Sequence, residues 1–258
     1  MGIARAFLLV LSAMSVASSA GAKSSDHGGA LSARPGAPPL TLAAGETRLP
    51  DGSLVYRPAT LPAGARPLLV ILHGFGQDPT NFVRSFTHWA DRCGAILIGP
   101  VAQHVTWDII ARSRDLDTRL TRPSRPPMRF GQDARRIDAD LAALFAMAPV
   151  DPRHVALLGF SDGASYSLSL GLANPQLFPW IMSFSPGFAL WPSEVALGQK
   201  LFIAHGTKDS RLAFVNTRDG IVKPLRDAGV DVQFRQFDGD HVLVRPIVQE
   251  SLTLAFGC

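Results

Sequence analysis

Gly159-Phe160-Ser161-Asp162-Gly163 follows the apolar run His154-Val155-Ala156-Leu157-Leu158 and precedes Ala164-Ser165-Tyr166-Ser167-Leu168-Ser169-Leu170-Gly171-Leu172-Ala173. The first run has the length and composition of a buried strand, and the second reads as a helix, so Ser161 falls on the turn between them. A turn that sharp forces its central residue into strained backbone geometry. Glycines at 159 and 163 let neighbouring backbone approach where a Cβ would collide. The serine hydroxyl is then presented at the sheet edge, with the N–H groups of the following helix aimed at the same place.

Outward from this turn, strand and helix patterns alternate. Pro67-Leu68-Leu69-Val70-Ile71-Leu72 and Ala95-Ile96-Leu97-Ile98 are continuous apolar runs, as expected of strands buried on both faces. A helix is expected from Asp78-Pro79 to about Arg92, and another over Asp133–Met147 with Ile137, Leu141, Leu144 and Phe145 on one side. After the central turn come strands at Trp180–Phe184, Leu201–Ala204 and Val232–Phe237. Helices follow around Phe214–Ala228 and from about Val244. Alternation of this kind implies an α/β architecture: a mostly parallel sheet with helices on both faces. Pro50-Asp51-Gly52 marks a hairpin turn within residues 46–57. The segment between Ala111 and Arg129 breaks the rhythm with Arg112, Arg114, Arg119, Arg122, Arg125 and Arg129 and three prolines. It reads as a solvated surface loop in preference to a mobile flap or an anion-attracting rim.

The N-terminus has its own logic. Arg5 precedes an apolar stretch from Ala6 that gives way to the small residues Ser18-Ser19-Ala20-Gly21-Ala22. Residues 1–22 therefore read as a secretory signal peptide, cleaved after Ala20 or Ala22, and the chain as exported to the periplasm or outside the cell. The stretch is shorter than the roughly 20 residues a spanning helix needs, so no stable membrane anchor is expected. Residues 23–45, rich in Gly, Ala, Ser and Pro, read as a flexible tail, and 46–258 as a single domain. The hydrophobic fraction of 47% excludes global disorder. A net charge of +4, with no basic helix and no basic residues interleaved with aromatics, gives no reason to expect a nucleic-acid partner.

A serine hydroxyl needs a base, and topology selects it among seven histidines. His241 lies just after the final strand in Asp238-Gly239-Asp240-His241, at the strand ends where catalytic groups gather. His73 and His205 each precede a glycine in a tight turn and read as loop braces. Asp209, which follows the Leu201–Ala204 strand through His205-Gly206-Thr207-Lys208, emerges at the same edge and is the expected acid. Asp238 and Asp240 adjoin His241 too closely to face its ring. For an oxyanion, the expected donors are the backbone N–H groups of Asp162 and of Phe75, in the loop His73-Gly74-Phe75-Gly76. The Asp162 side chain reads as structural, in the first helical turn. Trp107, Phe184, Phe188 and Trp191 are candidate pocket residues, with core packing as the competing role.

His73-Gly74-Phe75-Gly76, Gly159-Phe160-Ser161-Asp162-Gly163, His205-Gly206-Thr207-Lys208-Asp209 and Gly239-Asp240-His241 together resemble the phospholipase/carboxylesterase branch of the α/β-hydrolase superfamily. The resemblance covers Pro67 to the C-terminus. It implies the α/β-hydrolase fold without a large cap domain, and a serine esterase acting on a small-molecule carboxylic or thioester with no cofactor or metal. A peptidase or acyltransferase using the same three groups, and a non-catalytic binding protein on this scaffold, are the rival readings. In such a fold the first and last main helices share a face of the sheet, which would bring Cys93 and Cys258 together. A disulfide and two free buried thiols both fit the sequence.

Overall fold

The computed structural model describes residues 28–111 and 129–258. The expected signal peptide and Arg112–Arg125 lie outside the described residues. Among the described residues eight strands form one sheet in the order β1-β2-β4-β3-β5-β6-β7-β8. β1 (Gly45–Arg48) and β2 (Leu54–Arg57) make the expected hairpin, which joins β4 (Ile96–Gly99) antiparallel. The rest is parallel: β3 (Arg66–Leu72), β5 (Val150–Phe160), β6 (Trp180–Phe184), β7 (Lys200–Gly206) and β8 (Asp231–Phe237).

Side chains alternate across the sheet as the strand period of two requires. Leu68, Val70 and Leu72 of β3 enter the core under α3 (Gln132–Met147) and α4 (Asp162–Ala173). Leu69 and Ile71 enter the opposite core with Phe82, Trp89 and Leu252, from α1 (Pro79–Arg84), α2 (Thr87–Cys93) and α7 (Arg245–Phe256). The Phe214–Asp227 segment covers β6 to β8. It runs as α5 (Phe214–Thr217), a π turn over Arg218–Val222 and α6 (Lys223–Asp227), and buries Ile221, Val222 and Leu225. No cap domain stands over the strand ends among the described residues.

Two expectations change, and one open alternative is decided. The single helix through Arg92 is two: the Ser85 hydroxyl donates to the Phe82 carbonyl at 2.6 Å, and the Phe86 N–H bonds back to Val83, closing the first helix. The stretch read as a flexible tail is packed over residues 28–44. Leu31, Ala33 and Leu42 are buried, the Leu31 N–H donates to Asn174 Oδ1, and Ser32 and Ala33 donate to Asp138. Low-complexity composition suggested mobility, but the partners that hold this segment lie more than a hundred residues away. Finally, Cys93 and Cys258 are joined in a disulfide, their Cα atoms 5.8 Å apart. α2 and α7 do share a face of the sheet, and the bond ties their C-terminal ends.

Candidate active site

Ser161 lies between β5 and α4, as the N-cap of α4, with φ +58°, the strained geometry anticipated for the turn. The flanking glycines are required by contact. A Cβ on Gly159 would lie 2.1 Å from Gly163 O, and one on Gly163 would lie 2.1 Å from Leu72 O. The turn therefore packs directly against the end of β3, and the loop after β3 comes with it: a Cβ on Gly74 would stand 3.3 Å from Ser161 Cβ. The Ser161 N–H is held by the Phe184 carbonyl at 2.9 Å on the neighbouring strand.

His241 and Asp209 come from the loops after β8 and β7. These strands are neighbours, and Gly206 lets the two loops touch, since a Cβ there would meet Gly239 O at 2.4 Å. Thr207 and Lys208 N–H groups bond to the Phe237 and Gly239 carbonyls across the same junction. The result is a continuous line. His241 Nε2 is 2.9 Å from Ser161 Oγ, and His241 Nδ1 is 2.6 Å from Asp209 Oδ2. The Asp209 side chain has no exposure. Burial alone would raise its pKa, but the Leu212 N–H, the His241 ring and the Arg211 N–H outweigh it and hold the carboxyl below its ordinary range. Asp240 instead accepts the backbone N–H groups of Ser210 and His241, and Asp238 pairs with Lys208 on the surface. The three residues selected from sequence are the three brought together.

The Phe75 and Asp162 amides belong to the two elements that meet at Ser161. The loop after β3 is shaped by the Gly74 N–H on Gln77 Oε1 at 2.9 Å and the Gly76 N–H on Val105 O at 2.8 Å. His73 fixes its base. The Ala102 N–H donates to His73 Nε2, so the ring proton sits on Nδ1 and donates to Gly74 O at 2.9 Å. Burial lowers the pKa of this ring and keeps it neutral. The Asp162 side chain turns away from the serine to accept the Thr106 hydroxyl at 2.6 Å, the structural role expected of it.

The pocket expectation for Trp107 is corrected. Trp107 is fully buried, and its indole N–H donates to the His73 carbonyl at 2.8 Å. Its ring lies between His73 and Tyr166, with centroids 4.9 Å from each. An indole has one polar atom to satisfy, and a backbone carbonyl in the core is its partner here. Phe184 is likewise core, packed on Phe202. Phe188 and Trp191 are half-buried and pack against two separate core clusters.

Two features escaped the sequence. One is the role of residues 102–107, which through Ala102, Val105, Thr106 and Trp107 hold both His73 with its loop and the start of α4. The other is the surroundings of His241. The Phe160 ring lies 4.9 Å from its imidazole, and His205 stands behind Asp209. The position of Phe160 beside the serine was a signal for its contact with His241. Nothing local indicates the place of His205, because it depends on where residues 212 and 217 return. Among the described residues no cluster of His, Cys, Asp or Glu could hold a metal ion, and no helix is long and apolar enough to cross a membrane.

The phospholipase/carboxylesterase family matches residues 61–250. A bifunctional acetylxylan esterase/xylanase of Neocallimastix patriciarum is 28% identical over 181 residues, 67% of this chain and 23% of that protein. A putative esterase of Nocardia uniformis subsp. tsuyamanensis is 31% identical over 137 residues, 52% of this chain and 37% of that one. The matches thus span between about a quarter and two fifths of these relatives' lengths. The esterase PE8 structure superposes with a TM-score of 0.57 at 22% identity, covering 83% of this chain and 98% of its own. A phospholipase/carboxylesterase from Dyadobacter fermentans does so at 0.55 and 17%, covering 84% and 100%. At these identities the two structures establish the fold, which is that of the α/β hydrolases.

Proposed function

Because the chain belongs to the phospholipase/carboxylesterase family, we propose that it is an exported serine esterase that cleaves carboxylic or thioesters through an acyl-enzyme intermediate. The observation that carries this reading is the hydrogen-bonded line from Asp209 through His241 to Ser161. His241 Nε2 takes the hydroxyl proton as Ser161 Oγ attacks the ester carbonyl, whose π electrons move to oxygen. The Phe75 and Asp162 amides donate to that oxyanion, each contributing about 3 kcal/mol in the transition state. The intermediate collapses with loss of the alcohol or thiol, which takes the proton from His241. Water then repeats the sequence on the acyl-enzyme and releases the acid. Asp209 holds the imidazole in the tautomer with Nδ1 protonated and supports the cation that forms. No cofactor enters these steps.

Export is inferred from the Arg5-led apolar stretch with its small-residue end. The Cys93–Cys258 disulfide supports it, since such bonds persist in oxidising compartments. The acetylxylan esterase activity named for one relative makes acetyl esters the first substrates to try.

Ser161→Ala is expected to remove turnover of short-chain aryl esters and labelling by a fluorophosphonate probe, with the fold retained by circular dichroism. Wild-type turnover in that variant would refute the serine mechanism. An unlabelled, inactive parent protein would favour the binding-protein rival.

A further inference from the structure

Behind the proposed catalytic line stands a second imidazole that it does not use. His205 is the penultimate residue of β7 and is wholly buried. Its Nε2 lies 3.0 Å from the Leu212 carbonyl oxygen and 3.0 Å from Asp209 Oδ2, the same carboxylate oxygen that His241 Nδ1 approaches at 2.6 Å. We propose that His205 is a positioning residue of this site: its Nε2–H, shared between Leu212 O and Asp209 Oδ2, fixes the carboxylate and draws charge from the oxygen facing His241.

The protons follow from the partners. Nε2 faces two acceptors, so it carries a hydrogen. Nδ1 is 2.8 Å from Thr217 Oγ1, whose hydroxyl also lies 2.7 Å from the Pro186 carbonyl. Burial disfavours the cation and lowers the pKa of this ring, so its single hydrogen stays on Nε2, and the Thr217 hydroxyl, which donates to the Pro186 carbonyl, shares its hydrogen with Nδ1. Asp209 Oδ1 accepts the Arg211 and Leu212 N–H groups, while Oδ2 faces His241 Nδ1 at 2.6 Å and His205 Nε2 at 3.0 Å. In a carboxylate with no solvent exposure, every such donor counts, because no water replaces a lost one. Thr217 ties this arrangement to the loop after β6, so three strand-end loops bear on one carboxylate. The ionisable groups facing the pair are few. Asp209 and His205 face His241, as does Asp240 through the His241 backbone N–H. His205 itself meets the uncharged Thr217 and, edge-on, Phe214, behind which lies Arg218.

The consequence concerns pH. With the His205 donor removed, more charge stays on Asp209 Oδ2 and a proton is held more tightly on His241, so the base is lost at a higher pH. Two substitutions separate this role from simple bracing. In His205→Asn the amide reaches the place of Nδ1 and can keep Thr217, but not Asp209. In His205→Gln the amide reaches the place of Nε2 and keeps Asp209. The measurement is the pH profile of kcat/KM on a short-chain aryl ester. H205N is expected to move the acid limb up by about 0.5–1 pH unit and to lower kcat by roughly threefold to tenfold, with KM nearly unchanged. H205Q is expected to keep the wild-type limb. An unmoved limb in folded H205N, or equal shifts in both variants, overturns the proposal.

Should H205N fail to fold, His205→Leu serves in its place. It removes the Nε2–H that faces Asp209, and an unmoved limb there overturns the proposal equally. The inference rests on the catalytic reading above, and NMR titration of the His241 ring distinguishes the two failures. In folded Ser161→Ala protein, adding H205N should shift that titration in the same direction. A shift alongside undiminished turnover would refute the serine mechanism alone, and no shift alongside lost turnover would refute the role of His205 alone.

Discussion

Trp107→Phe separates two roles for a residue whose position near a strand end suggested a substrate pocket. In the structure its indole N–H, fully buried, donates to the His73 carbonyl at 2.8 Å, one residue before the loop carrying Gly74 and Phe75. Phenylalanine keeps much of the ring contact with His73 and Tyr166 but has no donor. Leaving a buried carbonyl unsatisfied costs about 1–3 kcal/mol. The missing portion of the indole adds roughly 1 kcal/mol of lost transfer and cavity energy. The sum, about 2–4 kcal/mol, corresponds in a chain of this size to a fall in Tm of roughly 5–15 °C. Because His73 anchors the proposed oxyanion loop, kcat should fall about threefold to tenfold while KM changes little. Differential scanning calorimetry and steady-state kinetics on acetyl, butyryl and octanoyl aryl esters make the test. A wild-type Tm together with a changed order of preference among the three esters would refute the core assignment and restore the pocket role.

Loss of the disulfide acts elsewhere. With the cysteines at a sequence separation of 165, loop closure in the unfolded chain gives an upper figure of about 5 kcal/mol, and Cys258→Ser is expected to cost about 2–4 kcal/mol by urea denaturation. Since the bond lies at the sheet edge opposite Ser161, kcat at room temperature should be unchanged. A second expectation concerns Asp140, whose carboxyl burial pushes up to about 6. Its folded pKa exceeds its unfolded value, so its contribution to stability is present at low pH and is lost as pH rises from about 4 through 6, by roughly 3 kcal/mol. Asp140→Asn should therefore be more stable than the parent at pH 8 by about 1–3 kcal/mol and nearly equal at pH 4. Equal stabilities at both pH values would show that the buried carboxyl imposes no such penalty.

The energetic logic of the site is that of a strained residue held by its surroundings. Ser161 at φ +58° is costly, and backbone strain of this kind amounts to about 1–3 kcal/mol. It is retained because Gly159 and Gly163 press the turn against β3 and α4, and because the Phe184 carbonyl holds the serine N–H. The 102–107 segment and the Asp209 surroundings extend the same principle, fixing the groups beside the serine through bonds to buried side chains.

Much of this protein was legible in the chain alone, for a physical reason. Continuous apolar runs mark strands buried on both faces, and glycines flank Ser161 because no side chain fits there. His241 and Asp209 were found because the ends of parallel strands converge on one edge. Each of these is a local pattern acting through a topology that alternation already implies. Tertiary structure decided what depends on distant partners. Residues 28–44 are anchored by Asn174 and Asp138, Trp107 is spent on the His73 carbonyl, and His205 is aimed at Asp209 by Leu212 and Thr217. A hydrogen bond depends on where two groups finish in space, and for these residues that place is set by chain returning from elsewhere in the sequence.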